Sequence, residues 1–592
     1  MIERVRRTFP PSVVIAIVTA AVAVLVPRYP PMTDLPFHEA VVVLLRTMGD
    51  TTRFTPGLYE THWGFPNQLF YALAWGLSYP LSIDAALKVA VFIVVSLIPW
   101  GVSVTARHWG ITSWVAIVAI PISLGWLFLW GLVPNLFGLG LVFALLPTID
   151  RFVEGPTLRG AAGACGAMLL VYFAHEMMLF VFLMAYGVFA VSSIRRWRAE
   201  GANAFALRVV PPAFISVVVA IAFRVQHQRV TASRVLASVR TSFYPLLSKV
   251  RLIPVDLFGK HTNLQVALLF GAFLLTVAYL VVVSRYAPVA SRQRRRLAGA
   301  SAVVFVAYFT APHLWHGATW LHHRFLAPAV LLGVVACIRP IGHGALAGSR
   351  VVRAIVMACV PLATLSALFP LMKGAGTTYL ADRASASRLM QRVPLGASVA
   401  RVQYYPRDPT GKDDSLGDRA RMSVAAVILR NGGRTNMEND ASPILPVQIA
   451  APYRWDDVSL RLTAVAPAIF VPYFDFTRFA YALLRCPHDH SIAAKVLEPY
   501  AERVADDGPW MLFRSKLDVV PMTSPDLVLP EQQPRTLLQL MQALAQEQET
   551  ASSESSAKPT DDSATAAGAS AGSAAVTGAS DSGAADGGQS GP

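Results

Sequence analysis

Charge is scarce in this 592-residue chain: Asp, Glu, Lys and Arg make up 15% of it, against 54% hydrophobic residues. A soluble domain carries roughly 25% charged residues. The apolar residues also lie in long runs before residue 370, not spread as domain cores would spread them. A soluble enzyme and a fibrous protein are thereby excluded, and a polytopic membrane protein is the starting point. Cysteine is scarcer still. Cys165, Cys337 and Cys359 sit in apolar runs and Cys486 stands alone beyond them, which excludes a disulfide scaffold. There is no Walker A motif, dinucleotide fingerprint, nucleophile elbow or HExxH, so a soluble nucleotide is not indicated as a source of energy or reducing power. No internal repeat is visible.

Acidic residues are the rarest feature of the first 370 positions: 11 Asp and Glu stand against 30 Lys and Arg. Residues 371–546 are nearly balanced, at 20 basic and 18 acidic, and residues 547–592 hold 1 and 7. The overall +15 is therefore a basic membrane half partly masked by an acidic tail. Basic loops between apolar helices mark the cytoplasmic face and anionic lipid headgroups, not a nucleic-acid surface. Arg outnumbers Lys 43 to 8, the coding bias of a GC-rich bacterial genome.

What is present begins with a basic stretch at 1–9 and an apolar run at 11–27. Pro27-Arg28-Tyr29-Pro30-Pro31 follows directly and leaves no small-residue cleavage site, so an uncleaved first span is expected, with residues 28–62 as the first outer loop. Further apolar runs lie at about 65–82, 85–105, 111–130, 132–149, 160–174, 177–194, 208–223, 264–284, 298–312, 325–338 and 352–370. This predicts a mostly α fold, a bundle of about eleven to thirteen transmembrane helices over 1–370, some of them half-helices. The parity between 65 and 150 does not close, so one span there is miscounted or re-entrant. RRWR at 195–198, RQRRR at 292–296 and the Arg339–Arg353 stretch read as cytoplasmic. Residues 224–263 carry seven Lys and Arg among apolar residues and read as a basic amphipathic segment on the membrane. Residues 371–546 read as a small extracytoplasmic α/β domain, with strands at 397–405, 479–484 and 510–513, a helix at 491–506 and a turn at Asp507-Gly508-Pro509. The Ser/Ala/Gly/Asp-rich tail at 547–592 cannot bury a core and is expected to be disordered.

The candidate chemistry sits where charge interrupts the apolar pattern. Four of the eleven acids fall in the first outer loop: Asp34, Glu39, Asp50 and Glu60. Pro36 can start a short helix there, with Asp34 near its positive end and His38 and Glu39 just inside. Such a carboxylate can act as a general base or bind a divalent cation, the one cofactor to consider. The plainer alternative is a helix cap on a solvated loop. His175 and Glu176 stand between two apolar runs, where a charge at membrane depth is functional or a hairpin tip is simply wet. His313, His316, His322 and His323 crowd one loop. They suggest zinc, but the spacing is not that of a fixed ligand scaffold, no acidic or Cys partner is local, and His and Trp are ordinary at a span boundary. Arg324, at the entrance of the next span, can hold a phosphate bidentately.

Several of these features together resemble the GT-C superfamily of integral membrane glycosyltransferases. They are Asp34 after the first span, the Trp63–Tyr71 entrance (WGFPNQLFY), Gly131–Gly140 (GLVPNLFGLG), the YFAHE hairpin at 172–176 and His323-Arg324-Phe325. The resemblance covers roughly residues 1–370 in layout; the paired Asp-Asp or Asp-Glu motif of that superfamily is not evident. It implies a polyprenyl-phosphate sugar donor, an envelope acceptor, and a site at the outer face of a bacterial cytoplasmic membrane. Asp34 and Glu39 would be catalytic, and His38, His175, Glu176, His322, His323 and Arg324 would bind substrate. Membrane lipids and the lipid-linked donor would be its partners. Two other classes stay open: a transporter or flippase for a lipid-linked or anionic solute, and a non-catalytic protein of envelope polymer assembly or ligation. Geometry separates them. An enzyme of this type brings Asp34, His175, Glu176 and Arg324 to one outer cavity, whereas a transporter places charges at mid-membrane along a path.

Overall fold

The computed structural model describes residues 10–194, 201–229, 241–259, 261–285, 291–315, 318–340, 350–403, 424–435, 446–449, 470–485 and 490–519, and 536–547 except 538 and 545. Residues Met1–Gln542 form one compact unit, to which the elements below belong. The RRWR motif, His316, Cys486 and the tail from 548 on lie outside the described residues.

Backbone groups in lipid have no water to bond, so the long apolar runs satisfy themselves as helices. Among the described residues six helices are long and apolar enough to cross a membrane: Ile83–His108, Ser113–Trp130, Val133–Glu154, Ala202–Val225, Asn263–Ser284 and Val351–Gly374. Four shorter apolar helices accompany them, Pro11–Leu25, Leu158–Ala174, Glu176–Ser192 and His323–Cys337. The protein is mostly helical and multi-pass, with a small sheet. Two of the expected runs behave differently. The run at 65–82 yields only the 9-residue helix Leu69–Leu77, about 14 Å long at 1.5 Å per residue, under half of a hydrocarbon core of about 30 Å. The run at 111–130 breaks into a 3-10 turn, Ser113–Ala119, and the short helices Ile120–Ser123 and Trp126–Trp130, with Pro121 and Gly125 at the breaks.

Charged residues divide the bundle into two ends. Val133–Glu154 begins beside Asp34, where Gly131 lies against it, and closes with Asp150. Residues 133 and 150 are about 26 Å apart along that helix. At the far end Arg296 Nη1 is 2.8 Å from Asp150 Oδ1 and also pairs with Glu154. His108 Nε2 is 2.8 Å from Asp150 Oδ2, and Ser192 Oγ accepts from Arg296 Nε at 2.8 Å. Arg296 is 1% exposed. One arginine of the RQRRR motif is thus a buried fastener, while Arg294 bonds the Ala336 carbonyl at 3.1 Å.

The C-terminal region builds a four-stranded sheet in the order Val399–Gln403, Tyr481–Arg485, Trp510–Ser515, Ala501–Asp507. The first pair is parallel and the others antiparallel. Trp510, Leu483 and Leu512 are fully buried in its core. The helix expected over 491–506 is His490–Leu497 only. Pro499 disfavours helical geometry at Glu498, and the chain continues as the strand Ala501–Asp507, turning at Gly508 with φ 55. One helix, Arg350–Met390, runs unbroken through position 370 and joins bundle to sheet. The segment after the first helix also meets this region directly, because Tyr59–Thr61 pairs antiparallel with Val447–Ile449.

Removing one partner of a buried ion pair strands the other. Arg296→Ala should therefore destabilise the protein by about 3–5 kcal/mol, read as a lowered thermal midpoint in detergent. Asp150→Leu with Arg296→Met should restore much of that loss.

Candidate functional site

Asp34 is seated by backbone. Pro36 lies in the first turn of the helix Leu35–Thr47, and Asp34 holds the N-cap position, but its carboxylate makes no capping bond. The capping alternative therefore does not account for it. Thr33 N donates to the Leu129 carbonyl at 2.9 Å and Asp34 N to Trp130 at 3.1 Å. Gly131 follows with φ 81, and a Cβ there would lie 2.7 Å from Asp34 N. Only glycine suits both the left-handed backbone and the close approach.

His38 locks this seat. Its Nε2 is 2.8 Å from the Gly131 carbonyl and its Nδ1 2.8 Å from Tyr71 Oη. A carbonyl only accepts, so Nε2 carries the proton and Nδ1 accepts from the tyrosine. Burial lowers the His38 pKa to about 4, against a smaller upward pull from the Gly131 bond, so the ring is neutral. Tyr71 is placed by the entrance turn, where Gln68 Oε1 accepts from Gly64 N at 2.8 Å and Phe65 N at 3.0 Å. Tyr71 lies within electrostatic reach of Asp34.

A second group of residues completes the site. His175 breaks the chain between Leu158–Ala174 and Glu176–Ser192 with extended backbone, and its Nδ1 accepts from Met177 N at 3.1 Å. The other ring nitrogen is 3.1 Å from Arg324 Nη1. Arg324 feels the charges of both Glu176 and Asp34. The structure thus brings Asp34, the neighbours His175 and Glu176, and Arg324 together from three separate segments. His175 is buried, while Asp34, Glu176 and Arg324 are each half-buried. Gly138 makes room for this, since a Cβ there would meet Met178 at 2.7 Å and His175 Cβ at 3.1 Å. Asn135, one turn earlier on the same helix face, is 0% exposed with neither side-chain polar atom hydrogen-bonded. A buried amide of this kind is a polar group set into an apolar wall beside the site. Sequence reading passed over Asn135, Tyr71 and Gly131, although all three lie in the motifs WGFPNQLFY and GLVPNLFGLG.

Glu39 belongs to a different set of partners. It is 1% exposed. Arg383 donates to its two oxygens at 2.9 and 2.8 Å, and Arg430 to one of them at 2.8 Å. Asp84 shares both arginines, at 3.2 Å and 2.7 Å. Burial drives the Glu39 carboxyl upward while Arg383 and Arg430 oppose it. This lattice ties the helix Leu35–Thr47 to Arg350–Met390 and to the helix Ala425–Asn431.

His322 and His323 are buried behind Arg324, His323 stacked on Trp126 at 4.5 Å between centroids. The acidic partner that is missing locally arrives from the basic segment: Asp256 Oδ1 lies 3.0 Å from His323 Nδ1. In that segment the helix Leu246–Phe258 turns both Lys249 and Asp256 inward, and Lys249 Nζ donates to the Phe309 and Ala311 carbonyls at 2.8 and 2.7 Å.

No protein-family model matches the chain, and no curated protein matches it. Among solved structures it is similar in fold to ArnT from Cupriavidus metallidurans bound to undecaprenyl phosphate, with a TM-score of 0.47 and 11% identity over 88% of this chain and 98% of that one. ArnT in the apo state gives a TM-score of 0.40 at 13% identity over the same shares.

Two outcomes follow from these contacts. In Glu39→Ala the amides of Ala425–Asn431 should exchange with deuterium roughly tenfold faster or more, because the docking contacts open locally. His38 resists protonation when folded, so the unfolded chain binds the extra proton between its ordinary value of 6.5 and about 4. Its contribution to stability is whole above that window and is lost as pH falls through it. Thermal midpoints should drop more steeply from pH 7 to 5 in the wild type than in His38→Gln.

Proposed function

We propose that the protein is a GT-C-type glycosyltransferase that moves a sugar from a polyprenyl-phosphate donor to an envelope acceptor. The observation that carries this reading is the convergence of Asp34, His175, Glu176 and Arg324 at one end of the bundle. Half-buried carboxylates facing a guanidinium at the edge of an apolar bundle suit a reaction between a phosphate leaving group and a hydroxyl.

Arg324 holds the donor phosphate through paired N–H bonds, and His175 orients its guanidinium. Glu176 balances that charge when no phosphate is bound. Asp34 takes the acceptor's proton as the acceptor oxygen attacks the sugar carbon. The bond from that carbon to the phosphate oxygen breaks, and the electron pair leaves with the lipid phosphate. A single displacement inverts the sugar carbon. His38, Tyr71 and Gly131 fix Asp34, and Glu39 holds the C-terminal domain over the loop without touching substrate. Basic residues gather at the opposite end, at Arg151, Arg159, Arg294 to Arg296 and Arg339, which supports a site and C-terminal domain at the outer face of the cytoplasmic membrane. The gathered charges lie at helix ends, which favours an enzyme over a transporter with ionised groups midway along its path.

Asp34→Asn should lower transfer by about 10²–10⁴-fold and fail to restore the surface glycan of a strain lacking the gene. Full complementation by that variant would remove Asp34 from the mechanism. Arg324→Ala should weaken the use of the lipid-phosphate donor more than that of the acceptor.

A further inference from the structure

The loop ahead of Arg324 holds a second constellation that the transfer reaction leaves unused. One ring nitrogen from each of His313, His322 and His323 lies within 4.8 Å of the others. His322 is 0% exposed and His323 4%. Neither nitrogen of His323 makes an aligned hydrogen bond, nor does Nδ1 of His313, and the contact of the His322 ring is with the backbone at Pro312. His322 and His323 are buried and His313 half-buried, and imidazoles that face one another with few aligned partners share a common remedy in a cation.

The surroundings fit that remedy. Asp256 sits at 3.0 Å from His323, in ion-pair contact but out of line for a hydrogen bond, and supplies negative charge. Tyr308 Oη is 2.8 Å from Asp256 Oδ2 and fixes the carboxylate. Lys249, the nearby cation, is turned away onto carbonyls at the end of the helix Ser291–Thr310. The rings are packed by Trp126, Trp320 and Tyr244. Trp320 adopts φ 61, a backbone region that a bulky residue rarely enters.

We propose that His313, His322 and His323 bind one zinc ion, with Asp256 as the carboxylate that offsets its charge. Zinc suits neutral imidazole ligands, and its Zn–N bonds of about 2.0–2.1 Å need the nitrogens drawn to roughly 3.3 Å apart. Binding would draw the three rings together from their spacing of up to 4.8 Å. The ion pins the loop and the first turn of His323–Cys337 to the Leu246–Phe258 helix, and so holds Arg324, the next residue, in place. The site is independent of the role assigned to Asp34.

The test uses full-length protein purified in detergent with a histidine-free tag. Elemental analysis should find about one zinc per chain. After chelation, cobalt(II) should bind one to one and give the strong visible absorption of a tetrahedral nitrogen-rich site. His322→Gln should lose both signals, and Asp256→Asn should weaken metal affinity by about 10–100-fold. If His322→Gln does not fold, the cobalt titration of the wild type decides alone. Wild type that carries no zinc and binds no cobalt would overturn the proposal, as would unchanged stoichiometry in folded His322→Gln.

Discussion

A carboxylate beside an apolar bundle needs a fixed seat and a countercharge, and both come to Asp34 from distant segments. The seat is backbone: the 33–34 amides bond to residues 129 and 130, with Gly131 close beneath. His38 holds that seat closed between Gly131 and Tyr71. The countercharge is Arg324, shared with Glu176. A side chain larger than hydrogen at Gly131 would displace Asp34 itself, so the left-handed turn there is a condition for everything around it.

The rest of the molecule keeps this arrangement at one end. The Asp150–Arg296 cluster fastens the opposite end of the same helices, about a membrane thickness away. The C-terminal region then meets residues 39–61 through the Glu39, Asp84, Arg383 and Arg430 lattice and the Tyr59–Thr61 strand pair. Ala425, Ala426, Leu429 and Val447 share the apolar core of the bundle, and the charge and backbone bonds around them specify position.

Much of this was legible from the sequence, and for a physical reason. Charges cost so much among apolar runs that those retained, Asp34, His175, Glu176 and Arg324, stand out without any structure. Other features could not be read. Asp256 meets His323 from 67 positions away and Glu39 meets Arg430 from 391, and no local spacing encodes such meetings. Glu39 is as scarce an acid as Asp34, yet it is held by two arginines. The run at 65–82 is apolar enough for a span but folds as nine helical residues, because Gln68 and the turn before it spend the first part on a loop. The pattern at 491–506 suits a helix until Pro499 divides it.

The central claim is that Arg324 and Asp34 flank a lipid phosphate. It is tested most directly by cryo-electron microscopy of the full-length protein in nanodiscs loaded with polyprenyl phosphate. The phosphate should lie within about 3 Å of the Arg324 guanidinium, with Asp34 facing the position of the departing sugar. A phosphate bound elsewhere, with Arg324 still on His175, would contradict it.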